Sequence, residues 1–202
     1  MGISDRKERN FKQREKEILR AAFDLFAEKG IESTTIEMIA EKAEVGKGTI
    51  YKHFIGKNDI FACIVIHQSR ELIQTLHRMD RDAPIMTRVD KMIRIFWEAH
   101  ARDMMTFEVG RKCHQLLVTD ALPPHILAEY NRLNELKKNF ARGLFQQAID
   151  EKIFKDADVD NMIVASMGLY IGMLDVALEE NVLPSEELYD LLKNMIFKGF
   201  MR

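Results

Sequence analysis

Cysteine is nearly absent from this chain. Its two thiols, Cys63 and Cys113, lie far apart and in no metal-ligand spacing. That pattern excludes a disulfide framework and a cysteine zinc site, and it fits free thiols in a reducing cytoplasm. An excess of either charge is missing too: 30 lysines and arginines face 32 aspartates and glutamates, for a net charge of −2. Affinity for nucleic acid, if any, has to come from a local patch. There is no Gly-rich phosphate loop, no zinc-binding His pair with an intervening Glu, and no nucleophile elbow, which removes the enzyme classes those motifs mark. Cys113 and His114 are adjacent, so on a helix they point about 100° apart and make a poor dyad. His125 and Glu129 share a helix face, but two ligands are weak evidence for a metal site. No metal, cofactor or catalytic residue is expected.

Long apolar runs are scarce. The strongest, residues 162–178, is short for a bilayer span, contains Asp175 and is flanked by acids. It reads as a buried helix of a soluble protein, and no membrane partner is expected. The N-terminus is charged with no apolar segment behind it, so no signal peptide is expected. Position 6, where a myristoylation signal needs Ser or Thr, is Arg6. A cytoplasmic location follows. No strand-like alternation, internal repeat or low-complexity segment appears, and the fold class is all-α.

What is present is concentrated in residues 34–54, TTIEMIAEKAEVGKGTIYKHF. Thr34, with Glu37 three residues on, has the form of a capping box that starts a helix. Ile36, Ile39, Ala40 and Ala43 fall on one helical face. Val45 plugs a turn, and Gly46 is an acceptable N-cap for the next helix. Ile50 and Phe54 point inward together, leaving Lys47, Thr49, Tyr51, Lys52 and His53 to the outer face and the exposed N-terminal end. A helix end with lysine, hydroxyl and phenol groups suits a phosphate backbone and base edges. Two short helices and a tight turn form a helix-turn-helix that sets its second helix in a DNA groove. Basic residues also gather at Arg6, Lys7, Arg9, Lys12 and Arg14, diluted by Asp5, Glu8 and Glu15.

The run GKGTIYKHF, preceded by TTIEMIAEKAEV and followed by GKNDIF, resembles the DNA-binding domain of the TetR family of repressors over residues 14–61. The resemblance implies that Lys47, Gly48 and Thr49 lie closest to the groove. It also implies that Tyr51, Lys57 and Thr35 hold phosphates, that His53 reaches phosphate or a base, and that Lys52 and Arg14 assist. Two positions depart from the family pattern: Glu44 stands where Gly is usual, and Gly46 where Ser is frequent. Glu44 therefore occupies a turn that favours a left-handed backbone.

Around this motif the periodicity predicts a first helix over 11–29, ended by Gly30, with residues before about 10 frayed. Its buried stripe is Ile18, Leu19, Ala22, Phe23, Leu25 and Phe26. Helices follow over 35–43, 47–54 and 57–81, then from Met86, over 103–118, and from Pro123-Pro124 to about 151. The pattern divides the chain into a DNA-binding domain, 1–56, and a helical effector-binding and dimerisation domain, 57–202. Residues 160–180 are apolar on nearly every side, so one face packs on its own domain and the other needs a partner. With 186–200 this helix is expected to build a homodimer about a two-fold axis, Gly168 and Gly172 allowing close approach.

Candidate effector contacts are Phe96, Trp97, His100, Met104, Met105, Phe107, Cys113, His114, Phe140, Met167, Tyr170, Met173 and Asp175. Aromatics and methionines at helical spacing also make ordinary cores, though 12 methionines favour an adaptable interior. The expected function is a ligand-responsive regulator that binds a palindromic operator as a homodimer. The resemblance implies a repressor released by a small effector, and the interior favours a lipophilic one. The competing reading is a helical small-molecule-binding or enzymatic protein with an incidental helix-turn-helix.

Overall fold

The structure, a computed structural model, describes residues 3–101, 108, 111–112, 122–180, 182 and 185–202. Among the described residues there are eight helices and no strand. They are α1 (Ile3–Lys29), α2 (Ile36–Lys42), α3 (Lys47–His53), α4 (Lys57–His77), α5 (Ile85–Ala101), α6 (Pro124–Asp150), α7 (Val159–Glu179) and α8 (Glu186–Phe200). The chain forms two compact units, Met1–His67 with Val109–Glu129, and Gln68–Glu108 with Tyr130–Arg202. The first thus continues past residue 56 into α4. The helix expected over 103–118 lies outside the described residues.

The first unit is built on α1. Ile18, Ala22, Leu25 and Phe26 of α1 are buried, as are Ile39 and Ala40 of α2, Ile50 of α3 and Phe54 after it. Phe26 stacks on Phe61 with ring centroids 4.3 Å apart. Burying each large apolar side chain contributes about 1.5–3 kcal/mol. Gly30, at φ 77°, closes α1, its N–H donating to the Phe26 carbonyl at 2.9 Å. The helix starts at Ile3, eight residues earlier than the periodicity predicts (11 − 3). A Lys12–Glu8 pair at 2.7 Å, one turn apart, supports the added segment from residue 8 on.

The helix-two start is one residue later than the capping-box reading. Thr35, not Thr34, is the N-cap, its hydroxyl accepting from the Met38 N–H at 3.3 Å. Thr34 is buried instead, its hydroxyl lying 2.8 Å from the Gly30 carbonyl and 3.3 Å from that of Leu25. A buried hydroxyl needs such partners, and this one takes Thr34 out of the helix. After Ala43 the chain turns by paired bonds, Val45 N–H to the Ala40 carbonyl and Glu44 N–H to that of Glu41. This is a Schellman ending with Glu44 at φ 54° in the glycine position. Lys152 repeats the arrangement after α6, at φ 62°.

In the second unit the core gathers Val89, Phe145, Phe154, Leu174, Tyr189 and Leu192 from α5 to α8 and the segment between α6 and α7. Arg94 lies 3.5 Å from the Tyr189 ring centroid and pairs with Glu186 at 2.7 Å. Phe145, Phe154 and Phe200 meet edge to face. α4 ends at His77 rather than near residue 81. Asp80 explains the early stop, because its carboxylate accepts from the Asp82 N–H and turns the chain.

α7 is not buried all round in the single chain. Its inner face holds Met162, Ile163, Leu174 and Ala177, while Val164 is 68%, Met167 42%, Ile171 43% and Val176 57% exposed. Leu191 and Met195 of α8 are exposed as well. By length and hydropathy alone α7 also qualifies as a bilayer span, but Asp160 near its start is paired with Arg142 at 2.6 Å.

A side chain in the left-handed region costs about 1–2 kcal/mol, and glycine relieves most of that while adding some unfolded-state entropy. We expect Glu44→Gly to raise the melting temperature, by up to about 1 kcal/mol in stability. A melt showing no gain or a loss overturns the strain assigned to this turn.

Candidate nucleic-acid interface

α3 has seven residues. Ile50 is fully buried and Phe54, which caps the helix, is 3% exposed. At 100° per residue the direction opposite Ile50 falls between Gly48 and Lys52, with Tyr51 and Thr49 on the flanks. The exposures agree: Tyr51 is 58% exposed, Gly48 and Lys52 are exposed, and Thr49 is half-buried. Gly46 caps the helix in an extended conformation with no side-chain bond, so the amide-rich start of α3 is open. Nothing lies near where a Cβ on Gly46 or Gly48 would sit. The glycines leave a smooth approach to the helix start.

Thr35 is exposed at the start of α2. Lys47 is tied to Glu37, linking the first turns of α2 and α3. Through that bond, foremost, the Glu37 carboxyl is held below its ordinary range. Lys47 is still exposed.

Two expected contacts are placed differently from the outward-facing group. His53 leans back toward α1 and stacks on Phe11, with ring centroids 3.9 Å apart. Its Nδ1 is buried without a hydrogen bond among the described residues. Desolvation, foremost, pulls the imidazole pKa down, with Glu15 opposing and Arg14 adding to the shift. His53 is therefore a neutral packing ring, and the residue that claims it, Phe11, lies at the margin of the frayed end expected from sequence. Lys57 turns inward. Its ammonium donates to the carbonyls of Ile31 at 2.9 Å, Thr34 at 3.2 Å and Glu32 at 3.3 Å. It gathers the carbonyls of the α1–α2 connection and pins that loop to the start of α4. Asp59 caps the same start, accepting from the Ile55 N–H at 2.9 Å. Sequence spacing gives no sign of the Lys57 contacts, which join residues about 25 positions apart.

A basic stretch lies on α1, where Arg6, Arg9, Lys12 and Lys16, with Asn10 and Gln13, line an open surface concavity. Arg14 pairs with Glu17 at 2.8 Å.

The effector candidates divide. Met104, Met105, Phe107, Cys113 and His114, and the side chain of His100, lie outside the described residues. Trp97 is in the core against Tyr189, ring centroids 5.8 Å apart, so it packs α5 on α8. Met167 faces outward, which corrects its assignment to an interior pocket. Phe140 is half-buried beside His77. Tyr170 donates to the Phe96 carbonyl at 2.9 Å, and burial raises its phenol pKa. Met173 and Asp175 are half-buried.

Residues 18–64 match the family model described as bacterial regulatory proteins, tetR family. The chain is 27% identical over 191 residues to the HTH-type transcriptional regulator YhgD of Bacillus subtilis, covering 92% of this chain and 96% of the relative. Over 60 residues, 30% of this chain and 32% of the relative, it is 38% identical to the HTH-type transcriptional repressor Rv3405c of Mycobacterium tuberculosis. In fold it is similar to a transcriptional regulator from Saccharomonospora viridis solved in complex with choline, with a TM-score of 0.76 and 18% identity, over 95% of this chain and 99% of that one.

A hydrogen bond to a charged group contributes about 1.5–3 kcal/mol. We expect Lys57→Met to lower the melting temperature of the protein alone, with no DNA present, by roughly that much in stability. An unchanged melt together with weakened DNA binding returns Lys57 to the role of a phosphate contact.

Proposed function

We propose that this chain, a DNA-binding transcriptional regulator of the TetR family, is a repressor that binds a palindromic operator as a homodimer. The observation that supports the DNA contact best is the orientation of α3: Ile50 and Phe54 turned in, and Gly48, Tyr51 and Lys52 turned out. In this reading Lys47, Gly48 and Thr49 approach base edges, while Thr35, Tyr51 and Lys52 meet phosphates. Two recognition helices set about 34–36 Å apart read half-sites in successive major grooves.

The homodimer reading rests on the uncovered stripe of α7 and α8. Val164, Ile171, Leu191 and Met195 are large apolar side chains left in water by a single chain. A second copy that brings the same stripe buries both. Gly168 and Gly172 have open space beside them.

The effector reading rests on the apolar and aromatic interior of the larger unit. α4 holds residues of both units, from Lys57 to His77. An effector that binds one arrangement of the two units more tightly shifts the protein toward it and changes the spacing of the recognition helices. That is release from the operator in physical terms.

Tyr51 is exposed, so Tyr51→Ala is expected to leave the melt unchanged while weakening operator binding about tenfold, within the range of one lost contact. Lys52→Ala is expected to weaken binding evenly across sequences and to lower the slope of log affinity against log salt by about one unit. Filter binding or fluorescence anisotropy across a salt series measures both, and wild-type affinity in both variants rejects the site. For the dimer, Ile171→Glu is expected to yield monomers by sedimentation at micromolar concentration. A dimer that survives a charge in the middle of the stripe places the interface elsewhere.

A further inference from the structure

Lys137 on α6 stands apart from its neighbours in charge pairing. Lys138 reaches Glu135 at 2.9 Å and Arg142 reaches Asp160 at 2.6 Å, both at the surface. Lys137 turns the other way, toward α4, where its ammonium meets the Ser69 hydroxyl at 3.4 Å. Ser69 is itself 7% exposed. Along α6 the same face carries Leu133, Phe140 and Leu144, and the next turn of α4 carries Leu72 and Ile73. Among the described residues no carboxylate faces the ammonium. Burial alone pushes its pKa down to about 8. A half-buried ammonium that faces no carboxylate among the described residues is partly desolvated at a cost, and an apolar residue of similar length would pack the seam at less cost. The arrangement as it stands offers one positive charge and one hydroxyl at the end of an apolar seam.

We propose that Lys137 and Ser69 are the polar end of the effector site, and that the effector is an amphiphilic monocarboxylate. Its carboxylate oxygens accept from the Lys137 ammonium and the Ser69 hydroxyl, and its hydrocarbon tail lies along Leu133, Phe140 and Ile73. The inference rests on the reading that the larger unit binds an effector, and it names the chemical class. One cation balances one negative charge, which favours a carboxylate over a phosphate dianion. A quaternary cation such as choline is disfavoured, because it meets a charge of its own sign with no anion to offset it.

The test uses the full-length protein, thermal shift and calorimetry, and four probes: laurate, methyl laurate, dodecanol and choline, all below aggregating concentrations. Wild-type protein is expected to be stabilised by laurate, to bind it at least tenfold tighter than its methyl ester, and to ignore choline. Lys137→Met keeps the length and apolar stem of the side chain. It is expected to fold with an unchanged or higher melting temperature and to bind laurate no better than the ester. Lys137→Arg is expected to retain the preference. Equal affinity of the wild type for laurate and its ester overturns the proposal, as does undiminished laurate binding by Lys137→Met. If no probe binds, neutral ones included, the proposal falls together with the lipophilic-effector reading. If dodecanol and the ester bind as well as laurate does, the proposal falls while the lipophilic-effector reading stands. Operator binding measured on the same samples keeps both outcomes separate from the DNA-binding reading.

Discussion

A seven-residue helix does not hold its shape in water. Helix nucleation fixes several residues for a single hydrogen bond, and isolated helices shorter than about 12–15 residues are marginal. α3 exists because its surroundings hold both of its ends and its inner face. Ile50 and Phe54 anchor the inside, and the Schellman bonds of Val45 and Glu44 set the angle of entry. His53, wedged on Phe11, fixes the exit. With the inward residues committed to packing, Gly48, Tyr51 and Lys52 have only the outside left to occupy. Presentation of the outward face proposed to read DNA is a consequence of that inward anchoring.

Polar groups beside α3 serve this anchoring, among them Lys57, which is an expected DNA contact in the sequence. Lys57 spends its donors on three carbonyls of the α1–α2 connection. Thr34 satisfies a buried hydroxyl on Gly30 and Leu25. A lysine or threonine beside a recognition helix can bind phosphate or hold the helix in place, and the choice depends on which partner is within about 3 Å.

The larger unit shows a related division. α7 has enough apolar surface for two coverings, and a single chain supplies one, through Met162, Ile163, Leu174 and Ala177. On α6 the surface cations Lys138 and Arg142 pair with carboxylates, while Lys137 meets a hydroxyl. Among the described residues both places leave a demand unmet, apolar on α7 and electrostatic on α6.

The order and type of the helices were legible in the sequence because each depends on neighbours within one or two turns. Apolar residues at helical spacing, Gly30 as a left-handed cap, Gly46 as an N-cap and the strain at Glu44 are local properties of that kind. So is the face on which Tyr51 lies, which follows from its distance to Ile50. Helix ends were less legible, as with Asp80 stopping α4 early and α1 beginning at Ile3. Side-chain partners were least legible, because they come from distant parts of the chain. Phe11 and His53, Lys57 and Ile31, and Ser69 and Lys137 are brought together only when the helices pack, and packing is what made His53 a packing ring, Lys57 a loop anchor and Lys137 a half-buried charge. The sequence by itself determined where helices form and which residues face outward on the short ones, since a periodic backbone repeats its geometry locally. The tertiary structure alone decided what each polar side chain does, since that depends on desolvation and on partners brought near only by the folded chain.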